Sequence, residues 1–189
     1  MVSKQQQDEE SFGKSLLEVV LFTAIFAGIL FALFHFVWAN ARVQGPSMQP
    51  TFESNDRIIA VRHTQLRRGD IVILNAPDEP GAEYIKRIIG LPGDTVSSKN
   101  DTTYVNGRPI KEPYLDQYKS KLPMGQLYTN NFTLKSTLGR KRVPKGCYFV
   151  MGDHRNVSKD SRIIGFIKRS AIIGKVEWRY YPLNKMKTF

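Results

Sequence analysis

Apolar residues are unevenly distributed along the chain. Residues 19 to 38, VVLFTAIFAGILFALFHFVW, contain no Asp, Glu, Lys or Arg. As a helix this run would reach about 30 Å, the thickness of a bilayer's hydrocarbon. Trp38 would then lie where an amphipathic ring is favoured, at the membrane interface. A cleaved leader usually carries a shorter apolar stretch, about 7–15 residues. The pattern therefore predicts a retained transmembrane anchor over 16–39, behind a polar tail over 1–15 of which residues 3–14 are expected to be disordered. Glu18 and His35 sit at the edge of or within the span and are assigned no intramembrane chemistry.

Beyond residue 40 the pattern changes. Apolar runs become short and rich in β-branched residues: RIIAV (57–61), DIVIL (70–74), YIKRII (84–89) and CYFVM (147–151). These read as strands. Leu91-Pro92-Gly93-Asp94 suits a type II turn, Asn106-Gly107 a tight hairpin, and Pro144-Lys145-Gly146 a further break. No long amphipathic helical period follows residue 40, so the expected fold is mostly β, an antiparallel β-rich domain behind one transmembrane helix. Residues 97–142 are more polar and read as a small inserted cap. The β-rich domain is then made of 40–96 and 143–180, with a C-terminal tail over 181–189.

Charge sharpens this division. The chain of 189 residues carries 28 Lys and Arg against 17 Asp and Glu, a formal net charge of +11. Residues 1–39 hold two of the basic and four of the acidic residues, which leaves +13 on the remainder. Such a domain could face nucleic acid, anionic lipid or a polyanionic wall. Its basic residues are scattered, and no zinc spacing, RNA-recognition signature or helix-turn-helix pattern is present, so nucleic acid is not expected as a partner. One cysteine, Cys147, excludes a disulfide framework and reads as a strand residue, not a nucleophile.

Three histidines, His35, His63 and His154, limit the available chemistry. One falls in the apolar span, and neither of the others lies in a Ser-His-Asp motif. No H-E-x-x-H or comparable pair suggests a metal, and no cofactor is implied. A serine can also be activated by a lysine whose ammonium has lost its proton through burial. Ser47 lies in GPSMQPT (45–51), where Gly45 and Pro46 can form a turn that presents a hydroxyl and a free amide. Lys86 lies in EYIKRIIGLPGD (83–94); in a strand it shares a face with Tyr84 and Ile88. By spacing alone an ordinary edge lysine is the better description of Lys86.

Four ordered blocks change that balance: Ser47-Met48-x-Pro50-Thr51, RGDIVIL (68–74), YIKRIIGLPGD (84–94) and MGDHRNVSKDSR (151–162). Behind a membrane anchor, this series resembles the bacterial type I signal peptidases, over the anchor and nearly all of 41–175. The resemblance implies a membrane-bound serine endopeptidase that removes signal peptides from exported preproteins. It implies Ser47 as nucleophile, Lys86 as general base and Ser158 as the residue that hydrogen-bonds and orients the lysine amine. Asp153, Arg155, Asp160 and Arg162 resemble the family's supporting polar network, read here as structural ion pairs. Val43, Met48, Phe52, Ile58, Ile73, Tyr84 and Ile85 resemble the lining of its shallow substrate pockets, and for Ile58 and Ile73 plain core is nearly as good a description.

The resemblance also implies an N-terminus in the cytoplasm, an extracytoplasmic catalytic domain in contact with membrane lipid, and a place near the secretion translocon. Two positions depart from the family pattern. His154 stands where many relatives have Asn, and a loop residue without a proton-transfer role is the simpler reading. Gly45 stands where some relatives carry a serine that helps bind the oxyanion, which leaves the Ser47 amide as the main donor. The competing readings are a self-cleaving repressor-type Ser-Lys peptidase, which would need a DNA-binding region, and a membrane-tethered basic module, which the four blocks do not favour.

Overall fold

The computed structural model describes residues 4–189; the first three residues of the expected tail lie outside the described residues. Helix α1 spans Lys4–Val37. The tail over 4–15 is thus helical and not irregular, consistent with its Gln, Glu and Lys content, since these residues have high helix propensity. Lys14–Val37, 24 residues, is long and apolar enough to cross a membrane. Every described side chain along it is exposed. The helix ends earlier than the expected anchor because Trp38 already opens a strand.

Residues 39–189 form a separate compact unit. Its strands are β1 (Trp38–Arg42), β2 (Arg57–Val61), β3 (Ile71–Asn75), β4 (Glu83–Gly90), β5 (Val96–Lys99), β6 (Thr102–Val105), β7 (Arg108–Pro109), β8 (Phe132–Thr133), β9 (Cys147–Met151), β10 (Ile167–Lys168), β11 (Ile172–Tyr181) and β12 (Lys187–Thr188). Short helices α2 (Asp116–Lys119), α3 (Leu134–Leu138) and α4 (Ser161–Ile164) fill connections. The main sheet has the order β1-β2-β11-β3-β4-β9-β10, with β12 also on β11. A second sheet, β7-β6-β5-β8, is built from strands that lie between residues 96 and 133.

All four sequence-read runs are strands, within a residue at either end. Turn chemistry also holds. Asn106 and Gly107, at φ 53° and 76°, join β6 to β7, the double left-handed geometry of a tight hairpin. The Asp94 amide donates to the Leu91 carbonyl at 3.0 Å across the Pro92-Gly93 turn. Burial explains the pattern of β3: Ile71 and Ile73 enter one apolar cluster, Val72 and Leu74 another, so this strand is covered on both faces and its sequence does not alternate. A third cluster, with Ile89, Val96, Phe149 and Met151, joins the two sheets.

Two elements were not legible. β11, the longest strand, pairs with β2, β3 and β12, yet its sequence IIGKVEWRYY mixes charges with apolar residues because one strand serves several neighbours through bulges. The expected C-terminal tail is also not free. β12 returns to Trp178 and Arg179, and the Phe189 ring lies 4.7 Å from that of Phe52.

Candidate active site

Ser47 follows the break at Gly45, whose φ of 76° suits a residue without Cβ. The Gln49 amide donates to the Pro46 carbonyl at 3.0 Å and the Phe52 amide to the Met48 carbonyl at 2.9 Å, closing a tight turn around the serine. Met48 is buried and anchors that turn in the first apolar cluster, while Ser47 stays partly exposed.

Lys86 stands in β4 opposite Val72 of β3. Only 3% of it is exposed, and its Nζ lies 5.1 Å from the centre of the Tyr84 ring. Nζ donates to Ser47 Oγ at 3.0 Å and to the Ile85 carbonyl at 3.1 Å. Among the described residues it has no carboxylate in salt-bridge contact. Burial pushes its pKa down to about 8, against the more distant carboxylates of Asp160, Asp153 and Asp78, which pull it up. As pH rises through that value the amine becomes neutral, and a neutral amine can accept a proton from a hydroxyl at this distance.

The loop after β9 closes the other side. The backbone N–H of His154 donates to the Ser47 carbonyl at 3.0 Å, and its Nδ1 lies 3.1 Å from the Pro46 carbonyl. Gly152 makes this approach possible: a Cβ there would meet the Ser47 carbonyl oxygen at 2.5 Å and Ser158 Oγ at 2.2 Å. Ser158 is buried beside this glycine, but its hydroxyl has no hydrogen-bond partner. The expected bond to the Lys86 amine is therefore absent here; the amine is directed to Ser47 and Ile85 instead.

The four charged residues of the last block are placed as an ion-paired frame, and for Asp153 and Arg155 the partners are ones the sequence did not name. Asp160 and Arg162 pair with each other, and Asp160 also accepts the Gly152 amide at 2.9 Å. Asp153 receives a two-pronged bond from Arg87 at 2.9 and 2.6 Å and a bond from Thr51 at 2.5 Å. Buried Arg155 pairs with Glu112 and donates to the Gly152 carbonyl at 3.0 Å. Sequence reasoning missed Arg87, Glu112, Thr51 and Gly152. The available signal was charge itself, since a buried Asp or Arg requires a counter-ion. Arg87, next to Lys86 in its strand, was within sight.

A groove of about 560 Å³ runs past Ser47 and Lys86. Val43, Met48, Ile73, Tyr84 and Ile85 line it, with residues of β1 and the β3–β4 loop. Phe52 and Ile58 do not. Both are fully buried in the first apolar cluster, which corrects their assignment to the pocket; hydrophobic residues near a site are more often its support than its wall. Gly45 is exposed beside the turn and is not part of the lining. Among the described residues no three His, Cys, Asp or Glu side chains gather where they could hold a metal ion.

Comparison with known proteins bears on this geometry. Residues 16–181 match the model of the family described as signal peptidase, peptidase S26. The chain is 47% identical over 154 residues to signal peptidase I of Bacillus caldolyticus, covering 79% of this chain and 83% of that protein. It is 39% identical over 182 residues to signal peptidase IB of Staphylococcus aureus, covering 92% and 94%. The crystal structure of a signal peptidase I from Enterococcus faecalis V583 superposes with a TM-score of 0.57 at 39% identity, over 59% of this chain and 97% of that one.

Proposed function

Because this chain belongs to the signal peptidase family, peptidase S26, we propose that it is a membrane-anchored serine endopeptidase that cleaves signal peptides from exported preproteins with a Ser47–Lys86 dyad. The observation that carries this reading is the 3.0 Å contact between Ser47 Oγ and a buried amine whose pKa is lowered to about 8. With Lys86 neutral, Ser47 O–H donates to Nζ. Oγ then bonds to the scissile carbonyl carbon as its proton passes to Nζ, and the carbonyl π pair moves to oxygen. The ammonium so formed protonates the leaving amine as the C–N bond breaks. Water, deprotonated by the same amine, releases the acyl group by the reverse sequence.

The developing oxyanion needs a fixed donor. Among the described residues the Ser47 backbone N–H has no acceptor in the protein, and it is assigned that role. Ser158 keeps the place the resemblance gave it: its unpartnered hydroxyl is available to accept an N–H of the neutral amine and leave the lone pair for Ser47. Asp153, Arg155, Asp160 and Arg162 position the loop. In this reading α1 spans the membrane with its N-terminus in the cytoplasm. The catalytic unit is extracytoplasmic, next to lipid and close to the translocon that delivers its substrates.

The test is incubation of the purified full chain, in detergent micelles, with an exported precursor, followed by sequencing of the new amino terminus. A single cut after the signal peptide, absent with Ser47→Ala and with Lys86→Ala, is expected. Cleavage by folded Ser47→Ala at the wild-type rate would overturn the dyad.

A further inference from the structure

His154 holds both carbonyls that flank the nucleophile's Cα. Its backbone N–H donates to the Ser47 carbonyl at 3.0 Å, and its imidazole Nδ1 is 3.1 Å from the Pro46 carbonyl. A carbonyl oxygen can only accept, so Nδ1 carries the proton. The Pro46 oxygen already accepts from the Gln49 amide at 3.0 Å, and the imidazole occupies its second lone pair.

The Pro46 carbonyl and the Ser47 N–H belong to one planar peptide unit. Among the described residues the cis peptides are Gln49-Pro50 and Tyr181-Pro182, so the Pro46–Ser47 bond is trans and its C=O and N–H point in opposite directions. Whatever fixes the oxygen therefore aims the hydrogen. The ring of His154 is itself held: it stacks on Tyr118 at 4.6 Å between centroids and lies 6.2 Å from the Tyr128 ring. Tyr118 O–H donates to Gln49 Oε1 at 3.2 Å, and Tyr128 O–H to the Asp153 carbonyl at 2.9 Å. Tyr118 and Tyr128 both come from the inserted segment, which in this way braces the turn that carries Ser47.

We propose that His154 is a positioning residue for the oxyanion donor: through Nδ1–H and the Pro46 carbonyl it sets the peptide plane that directs the Ser47 N–H toward the reacting carbonyl. This rests on the peptidase reading above. His154 takes no proton from Ser47, which already faces Lys86, and its effect is on geometry in the transition state. A donor aimed away from the oxyanion weakens transition-state binding and leaves ground-state binding largely untouched.

The experiment compares wild type, His154→Ala and His154→Asn as full chains in detergent micelles. It measures kcat and KM on a signal-peptide substrate and the affinity for a peptide aldehyde of matching sequence. The aldehyde reports the oxyanion site, because Ser47 Oγ adds to its carbonyl carbon, the π pair moves to oxygen and the serine proton passes to Lys86. His154→Ala should lower kcat by about tenfold, somewhat less than complete loss of an oxyanion donor, with KM changed by no more than about twofold. Aldehyde affinity should fall by the same factor as kcat, and the pH at which kcat/KM rises should stay in place. His154→Asn, whose amide can still donate to the Pro46 carbonyl, should recover most of both losses. Wild-type kcat and aldehyde affinity in folded His154→Ala would overturn the proposal, as would a rise in KM with no change in kcat. A wild-type protein that neither cleaves substrate nor binds the aldehyde would overturn the peptidase reading itself, a result separable from either of these.

Discussion

Lys86 and Arg87 are consecutive in β4 and send two cations to opposite faces with opposite fates. Arg87 is clamped by both carboxylate oxygens of Asp153 and lies 3.9 Å from the Tyr114 ring. Lys86 meets a hydroxyl and a carbonyl and, among the described residues, no carboxylate. Pairing keeps the Arg87 guanidinium charged, whereas burial without a close counter-ion makes the Lys86 ammonium give up its proton readily. Arginine belongs in the first setting and lysine in the second, since only lysine can be neutralised in a protein.

A pH profile follows from this contrast. With a pKa lowered to about 8, Lys86 becomes competent as pH rises, so kcat/KM should climb through about pH 8 and level off above it. Lys86→Arg should be inactive at every pH because a guanidinium does not deprotonate, and Lys86→Ala should be inactive for want of a base. Turnover near the wild-type rate by Lys86→Arg would remove Lys86 from the proton transfer.

The same shift carries a stability cost that can be measured. Lys86 has a lower pKa folded than unfolded, so below pH 8 both states hold the proton and the folded state bears the penalty of a buried ammonium. Between about pH 8 and 10.5 the unfolded chain binds more protons, and the stability contributed at this site rises with pH. The inactive variant Lys86→Met removes the penalty. It should be more stable at pH 7 by an amount on the order of 1–3 kcal/mol, with the advantage shrinking toward pH 10. Denaturant titrations at the two pH values check this, and an advantage that grew with pH would show that the ammonium is not penalised.

Gly152 should tolerate no side chain. An added Cβ would lie 2.2 Å from Ser158 Oγ and 2.5 Å from the Ser47 carbonyl oxygen, and the second of these contacts is with backbone that cannot swing away. Gly152→Ala should cost about 1–3 kcal/mol of stability as an overpacked site. By displacing the Ser47 turn it should also reduce kcat/KM by about a hundredfold. Kinetics and thermal melting on one preparation would separate the two effects. Normal kinetics would mean that the turn yields without consequence.

Glu112 and Arg155 form a buried ion pair. Burial alone would raise the Glu112 pKa, but the Arg155 guanidinium outweighs it and the pKa is lowered. A carboxylate depressed in the folded state contributes stability above its unfolded pKa, and that contribution is lost as pH falls through the folded value. Glu112→Gln leaves Arg155 buried without a counter-ion and should cost about 3–5 kcal/mol at pH 7. Its stability should also decline less steeply than that of wild type on acidification below about pH 4. Identical acid-unfolding slopes for the two proteins would exclude Glu112 as a contributor.

How much of this was legible depended on whether a residue's signal was local. β2 and β9 stood out because their β-branched and apolar runs carry the pattern themselves, and the β6–β7 turn because Asn106-Gly107 is a local code. Ser47 and Lys86 were marked as partners through ordered blocks resembling a known family; spacing alone gave an edge lysine. Asp153–Arg87 and Arg155–Glu112 were hidden because they join residues 66 and 43 positions apart, and nothing in a sequence pairs distant charges. Phe52 and Ile58 were misplaced for a related reason. A buried wall and the packing behind it share the same residue types, and only the fold distinguishes them.

The groove bears on which bond is cut. Val43, Met48, Ile73 and Ile85 are all buried core residues as well as lining, so the wall cannot retreat without disturbing the first apolar cluster. Overpacking such a wall costs about 1–3 kcal/mol, enough to disfavour a bulky side chain by roughly 5- to 150-fold. An extended substrate turns alternate side chains toward the protein. The residues one and three positions before the cut should therefore face the wall and be small, Ala above all, while the one between them should vary freely. Sequencing new amino termini from a library of precursors randomised at these three positions would show it. Ile73→Ala should open the wall and admit larger residues at one of the two restricted positions while leaving the middle one unrestricted. Efficient wild-type cleavage after Phe or Lys would mean that some other surface selects the substrate.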